Sequence, residues 1–62
     1  MEFSGKRCKL KLLTGELLTG ILSDVEQIST NQQIVQVIET SSTEQIQAKT
    51  ILITQIEALG LA

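Results

Sequence analysis

Few side chains in this 62-residue chain can do chemistry. Asp24 and Glu26 stand two residues apart, a spacing that on a strand puts both carboxylates on one face, as acid-base or metal work requires. The chain contains no His, Trp or Tyr, and nothing nearby completes such a site. A solvated acidic face is the better reading, and the chain is not expected to be an enzyme. Cys8 is the single cysteine. It makes no internal disulfide, and with no His to take its proton it is expected in the core rather than as a nucleophile. The lack of His also removes any plausible zinc site, so neither metal nor cofactor is expected. There is no glycine-rich phosphate loop, and the repeated Leu-Leu-Thr-Gly of Leu12 to Gly20 matches no nucleotide-binding spacing. Lys6, Arg7, Lys9 and Lys11 hold four of the five positive charges. They make either solvent-facing strand charges or a local phosphate-contacting patch, while the net charge of −2 argues against strong general nucleic-acid binding.

The elements that must position these residues read as all-β. Cys8, Leu10 and Leu12 alternate with Lys9 and Lys11, the period of a strand with one wet face. Thr14-Gly15 makes a turn, with Gly15 supplying a positive φ. A long second strand follows from about Glu16 to Ile28, with Leu17, Leu18, Ile21, Leu22, Val25 and Ile28 apolar. Gly20 lies inside it, where a sharp bend or a close backbone contact is expected. A helix is disfavoured there because Gly15, Thr19 and Gly20 are poor helix formers. Ser29 to Gln32 supplies a turn, with Asn31 able to adopt the left-handed conformation. Strand three covers Gln33 to Glu39, and Thr40 to Thr43 forms an exposed tip. Strand four, from about Glu44 to Lys49, sets Ile46 and Ala48 on a dry face against Gln45 and Gln47. A tight turn near Ile51 to Thr54 leads to a fifth strand from about Gln55 to Leu61. The expected fold is a small five-stranded, strongly bent antiparallel barrel, with Phe3 tucked against one open end.

At this length the chain forms one domain, residues 1–62, with marginal stability of its own. Oligomerisation or a partner is the expected support. No apolar run approaches the roughly 20 residues that span a bilayer, and no signal-peptide core precedes the first strand. The expected setting is cytosolic or nuclear, without a membrane partner, where a lone thiol stays reduced.

Gly5, the apolar set Cys8, Leu10 and Leu12, and then Gly15, Leu18, Gly20 and Leu22 resemble the first motif of Sm and Sm-like proteins, a turn glycine followed five residues later by a strand glycine. The resemblance covers about a third of the chain, and it implies an SH3-type bent barrel and a role in RNA metabolism, in a ribonucleoprotein. Ring-forming members hold RNA through an Asp and an Asn after the second glycine and through an Ile-Arg-Gly motif before the last strand. Here Glu26 stands where the Asp belongs, Asn31 is one residue out of register, and Ile53-Thr54-Gln55-Ile56 replaces the basic motif. No room remains for the N-terminal helix of those members either. The opening Phe3-Ser4-Gly5 and the ending Ile53, Ile56 and Leu59 are instead similar to the divergent Sm-like domain of enhancer of mRNA decapping proteins. That resemblance implies a cytoplasmic protein-interaction module of processing bodies, taking a leucine-rich amphipathic helix of the decapping enzyme. It also implies that the chain is the N-terminal domain of a longer protein, while a freestanding Sm-like protein fits the length.

Two functions follow. In the first, an apolar groove docks an amphipathic helix, and Phe3, Leu13, Leu17 and Ile51 are the anchors because they are apolar beyond what a one-sided barrel needs. Their competing assignment is plain core packing or a homodimer contact. In the second, the chain is a ring-forming RNA-binding protein with an atypical site made by Lys9, Lys11, Asn31 and Lys49.

Overall fold

A computed structural model describes residues 2–40 and 46–62. The described residues form six strands and one turn of 3-10 helix: β1 (Arg7–Leu12), β2 (Leu17–Leu22), β3 (Glu26–Ser29), β4 (Gln32–Thr40), β5 (Ile46–Leu52), the 3-10 turn Ile53–Gln55, and β6 (Ile56–Leu61). All pairings are antiparallel. The sheet runs β3-β4-β2-β1-β6, with β5 on the other side of β4.

Strict alternation builds the first hairpin. Cys8, Leu10 and Leu12 point inward from β1, and Leu18 and Leu22 do so from β2. The connection closes with the Gly15 N–H donating to the Leu12 carbonyl at 2.9 Å and the Leu12 N–H donating to the Glu16 carbonyl at 2.9 Å. Gly15 has φ 92°, so the expected left-handed turn glycine is where the sequence places it. Val35 and Val37 of β4 and Ile51 of β5 complete the fully covered core, flanked by Phe3, Val25, Ile53, Ile56 and Leu59. Burying each aliphatic side chain contributes about 1.5–3 kcal/mol, the driving force that holds so small a sheet together.

Gly20 lets the sheet coil tightly. A Cβ built on it would stand 2.5 Å from the Ile38 carbonyl oxygen and 2.9 Å from Val37 Cγ1. Of the two roles expected for this glycine, close backbone approach is the one observed. The break lies further on. The Ser23 N–H donates to the Gln36 carbonyl at 2.9 Å, and the Ser23 hydroxyl accepts the Gln36 N–H at 2.8 Å. Next in register, Glu26 faces Ile34. Three steps along one strand therefore match two along the other, an extra residue that bends the chain.

That bulge corrects the expected strand count. One long strand from Glu16 to Ile28 is instead β2 and β3, making six strands. Among the described residues the sheet is also not closed: no ladder joins β5 to β6, so the five-stranded barrel is replaced by a coiled open sheet. A further correction concerns β5. It runs on through Leu52, so Ile51 is a strand residue, and the turn expected at Ile51 to Thr54 falls on Ile53–Gln55. Its faces are also the reverse of those expected. Ile51 pairs with Val35 and Lys49 with Val37, so Lys49 shares the core-side face, while Ala48 pairs with Ile38 and is exposed. Parity is set by Ile51, and this end of β5 overruns the core, leaving both faces wet. Of the loop expected at Thr40 to Thr43, Thr40 is the last residue of β4, while Ser41 to Thr43 and the strand start at Glu44 and Gln45 lie outside the described residues.

Candidate functional site

The outer face of β2-β1-β6 carries a concave surface. Register places Lys9 between Thr19 and Gly60, and Lys11 between Leu17 and Ala58. The small residues Ala58 and Gly60 leave an open groove of about 420 Å³, lined also by the lysine stems, Thr19 and Leu17. A second hollow of about 140 Å³ continues it past Arg7, Thr19, Ile21 and Ile38. Both are shaped by strand alternation: residues facing away from the core on three neighbouring strands make one continuous surface.

Charge is unevenly spread over that surface. Arg7, Lys9 and Lys11 alternate along β1 and all point out. Lys11 Nζ lies 3.7 Å from Glu57 of β6, both side chains about half exposed. Among the described residues, neither Arg7 nor Lys9 forms an ion pair.

The residues expected to anchor a partner do not converge. Leu13 and Leu17 are 61% and 74% exposed, at and just after the first turn. Ile51 is only 7% exposed and belongs to the core, contrary to its expected anchor role. Phe3 packs against the core, as the end-plug reading has it, next to the segment where the Gly5 N–H donates to the Leu22 carbonyl at 2.7 Å. That is the end of the hairpin away from Leu13. The four residues expected for RNA are also dispersed. Lys9 and Lys11 share the outer face of β1, Asn31 sits in the turn between β3 and β4, and Lys49 lies on the other face of β5. Lys49 Nζ donates to Glu16 Oε1 at 2.9 Å, and this hydrogen bond raises its pKa above the usual 10.5.

Cys8 is fully buried, and its thiol sits 3.3 Å from the Lys6 carbonyl, a weak donor satisfied by backbone. Asp24 lies in the break between β2 and β3 rather than on a strand, so it does not share a strand face with Glu26 as expected. Among the described residues no cluster of acidic or cysteine side chains is arranged to hold a metal. Nor is any helix among them long and apolar enough to cross a membrane.

Thr19, Ala58 and Gly60 stand outside the set of expected site residues, and Arg7 enters it only as a member of the basic patch with Lys6, Lys9 and Lys11. The period-two pattern of β1 signals Arg7, but the others enter only through the register of β2 and β6. Comparisons with protein-family models, with curated proteins and with solved structures return no match.

Proposed function

We propose that this chain is a divergent Sm-like domain acting as a non-catalytic protein-interaction module, one that docks a leucine-rich amphipathic helix on the outer face of β2-β1-β6. The single observation that carries this reading is the groove beside Leu17. A large apolar side chain 74% exposed, next to a trough floored by Ala58 and Gly60, is an apolar surface left without an internal partner. Helix-in-groove recognition uses such a surface. The Sm-like assignment rests on the sequence resemblance and is supported by the course of the chain: a Gly15 turn, a chain that bends at Ser23 between β2 and β3, and a short 3-10 turn leading into a last strand that pairs with β1. The cytoplasmic setting, the link to mRNA decapping and the decapping enzyme as partner follow from the same resemblance.

The direct test is titration of a fluorescent leucine-rich helical peptide of a decapping enzyme against the chain and its Leu17→Asp variant. Leu17 is exposed, so the variant keeps the fold. Saturable binding that is lost in the variant supports the reading, and equal binding to both removes the groove as the site.

A ring-forming RNA-binding protein is the second reading, favoured by one observation. The sheet is open between β5 and β6, leaving strand edges on both that neighbouring subunits can pair. Sedimentation decides between the two: a ring-sized oligomer with salt-sensitive RNA binding supports the second, and a monomer or dimer supports the first.

A further inference from the structure

The outer face carries two parallel rows of different character. Along β1 run Arg7, Lys9 and Lys11. Beside it, paired residue for residue, β2 presents Ile21, Thr19 and Leu17. Alternate residues on a strand are about 6.8 Å apart, and neighbouring strands about 4.8 Å. On an α-helix, residues four apart are separated by about 6 Å along the axis, and the line of positions i+3 and i+7 runs beside the line i, i+4 and i+8. Each line winds by about 40° per four residues, so a helix inclined at about 30° to β1 lays i, i+4 and i+8 along the strand, and at a side-chain radius of about 5 Å the two lines lie about 7 Å apart, a gap that side chains on strands about 4.8 Å apart can reach. Along that line successive positions are about 7 Å apart, so over three positions the mismatch with alternate strand residues stays well within the reach of flexible Lys and Arg stems. A helix about 10 Å across also fits the width from β2 to β6, two strand spacings.

We infer that the occupant of this groove is an acidic amphipathic helix lying over β1 at a shallow angle, with carboxylates at i, i+4 and i+8 over Lys11, Lys9 and Arg7 and Leu or Ile at i+3 and i+11 against Leu17 and Ile21. The inference rests on the docking reading above and adds to it the charge and direction of the partner. The chain's net charge is −2, yet this row is cationic, and among the described residues its one carboxylate partner is Glu57 on Lys11. Opposite charges aligned along an interface steer association and fix register. A single-stranded nucleic acid would use the same cations, but it needs rings on which to stack its bases. The chain's only aromatic residue, Phe3, is packed against the core. An acidic helix is therefore favoured over RNA.

The test uses the full chain and three synthetic helical peptides with identical leucines, carrying Glu, Gln or Lys at i, i+4 and i+8. The Glu peptide is expected to bind about tenfold or more tightly than the Gln peptide at low salt, an advantage that shrinks as ionic strength rises. The Lys9→Glu/Lys11→Glu variant, folded by circular dichroism, loses that advantage and gains binding to the Lys peptide. Glu57→Gln, which removes a competing carboxylate beside Lys11, tightens the Glu peptide about twofold or more. Equal binding of Glu and Gln peptides overturns the inference and leaves the docking reading standing. No binding by any peptide overturns both. Binding of a uridine-rich oligonucleotide through Lys9 and Lys11, without binding of the Glu peptide, overturns the inference in favour of RNA.

Discussion

The hairpins β1–β2 and β3–β4 are both antiparallel, and their first strands meet opposite fates. In β1–β2 every second side chain is buried, and the turn is held by backbone hydrogen bonds to Leu12, Glu16 and, through Leu13, to the Gln55 carbonyl at 2.9 Å. In β3–β4 none of the four residues of β3 is buried, and Ile28 is 52% exposed. Both hairpins contain β-formers, so propensity does not separate them. Coverage does: β1 and β2 curl around Val35, Val37 and Ile51, whereas β3 follows the Ser23 bulge and diverges from that core. Apolar content becomes stability only where another layer closes over it.

Substitutions probe this contrast in order of size. Leu10→Ala, in the centre of the first hairpin, should cost about 2–5 kcal/mol in urea denaturation, enough to leave so small a domain largely unfolded. A cost no greater than that of a surface change would show that the first hairpin is not the structural base. Gly20→Ala comes next, at about 1–3 kcal/mol, because its Cβ meets the Ile38 backbone rather than a side chain that can swing away. Gly15→Ala should cost about 1–2 kcal/mol through the strained φ alone, since nothing lies within 4 Å of the added methyl. Comparing the two glycines separates steric overlap from backbone strain. Ile28→Ser, in the second hairpin, should shift stability by less than about 0.5 kcal/mol, and a larger loss would mean that β3 is covered in solution.

The smallest effect is electrostatic. Lys49 on β5 donates to Glu16 at the base of the first turn, and its pKa is raised above 10.5, first by that hydrogen bond. A raised folded value means that the contact's stabilisation is fully present below the unfolded pKa and is lost as pH rises through the folded one. NMR titration of the Lys49 ε-methylene should give a midpoint above 10.5 in the parent chain and a lower one in Glu16→Gln. Identical midpoints would show that the pair does not persist in solution.

Much of the first hairpin is legible in the sequence. The alternation from Cys8 to Leu12 and the placement of Gly15 after Thr14 depend on local rules, strand period and turn stereochemistry, and both hold in the folded chain. The partition of the long second strand is not legible in the same way. Ser23 and Asp24 are the signal that could mark its break, since a short hydroxyl side chain can replace a ladder partner at a bulge. The faces of β5 escape a local reading because Ala48 and Lys49 are both plausible on either side, and Ile51, which fixes the parity, reads as a turn residue.

The candidate site divides along the same line. Local sequence suffices to make the chain all-β, to put Cys8 in the core and to alternate cations along the first strand, because each of these depends on residues close together in the chain. It took the assembled sheet to bring Leu17 onto the same surface as Lys9 and Lys11, to make Ile51 unavailable to a partner, and to open a groove beside them at Ala58 and Gly60. Those relations depend on which strands pair and in what register. A shift of one residue would turn every side chain of a strand to the opposite face.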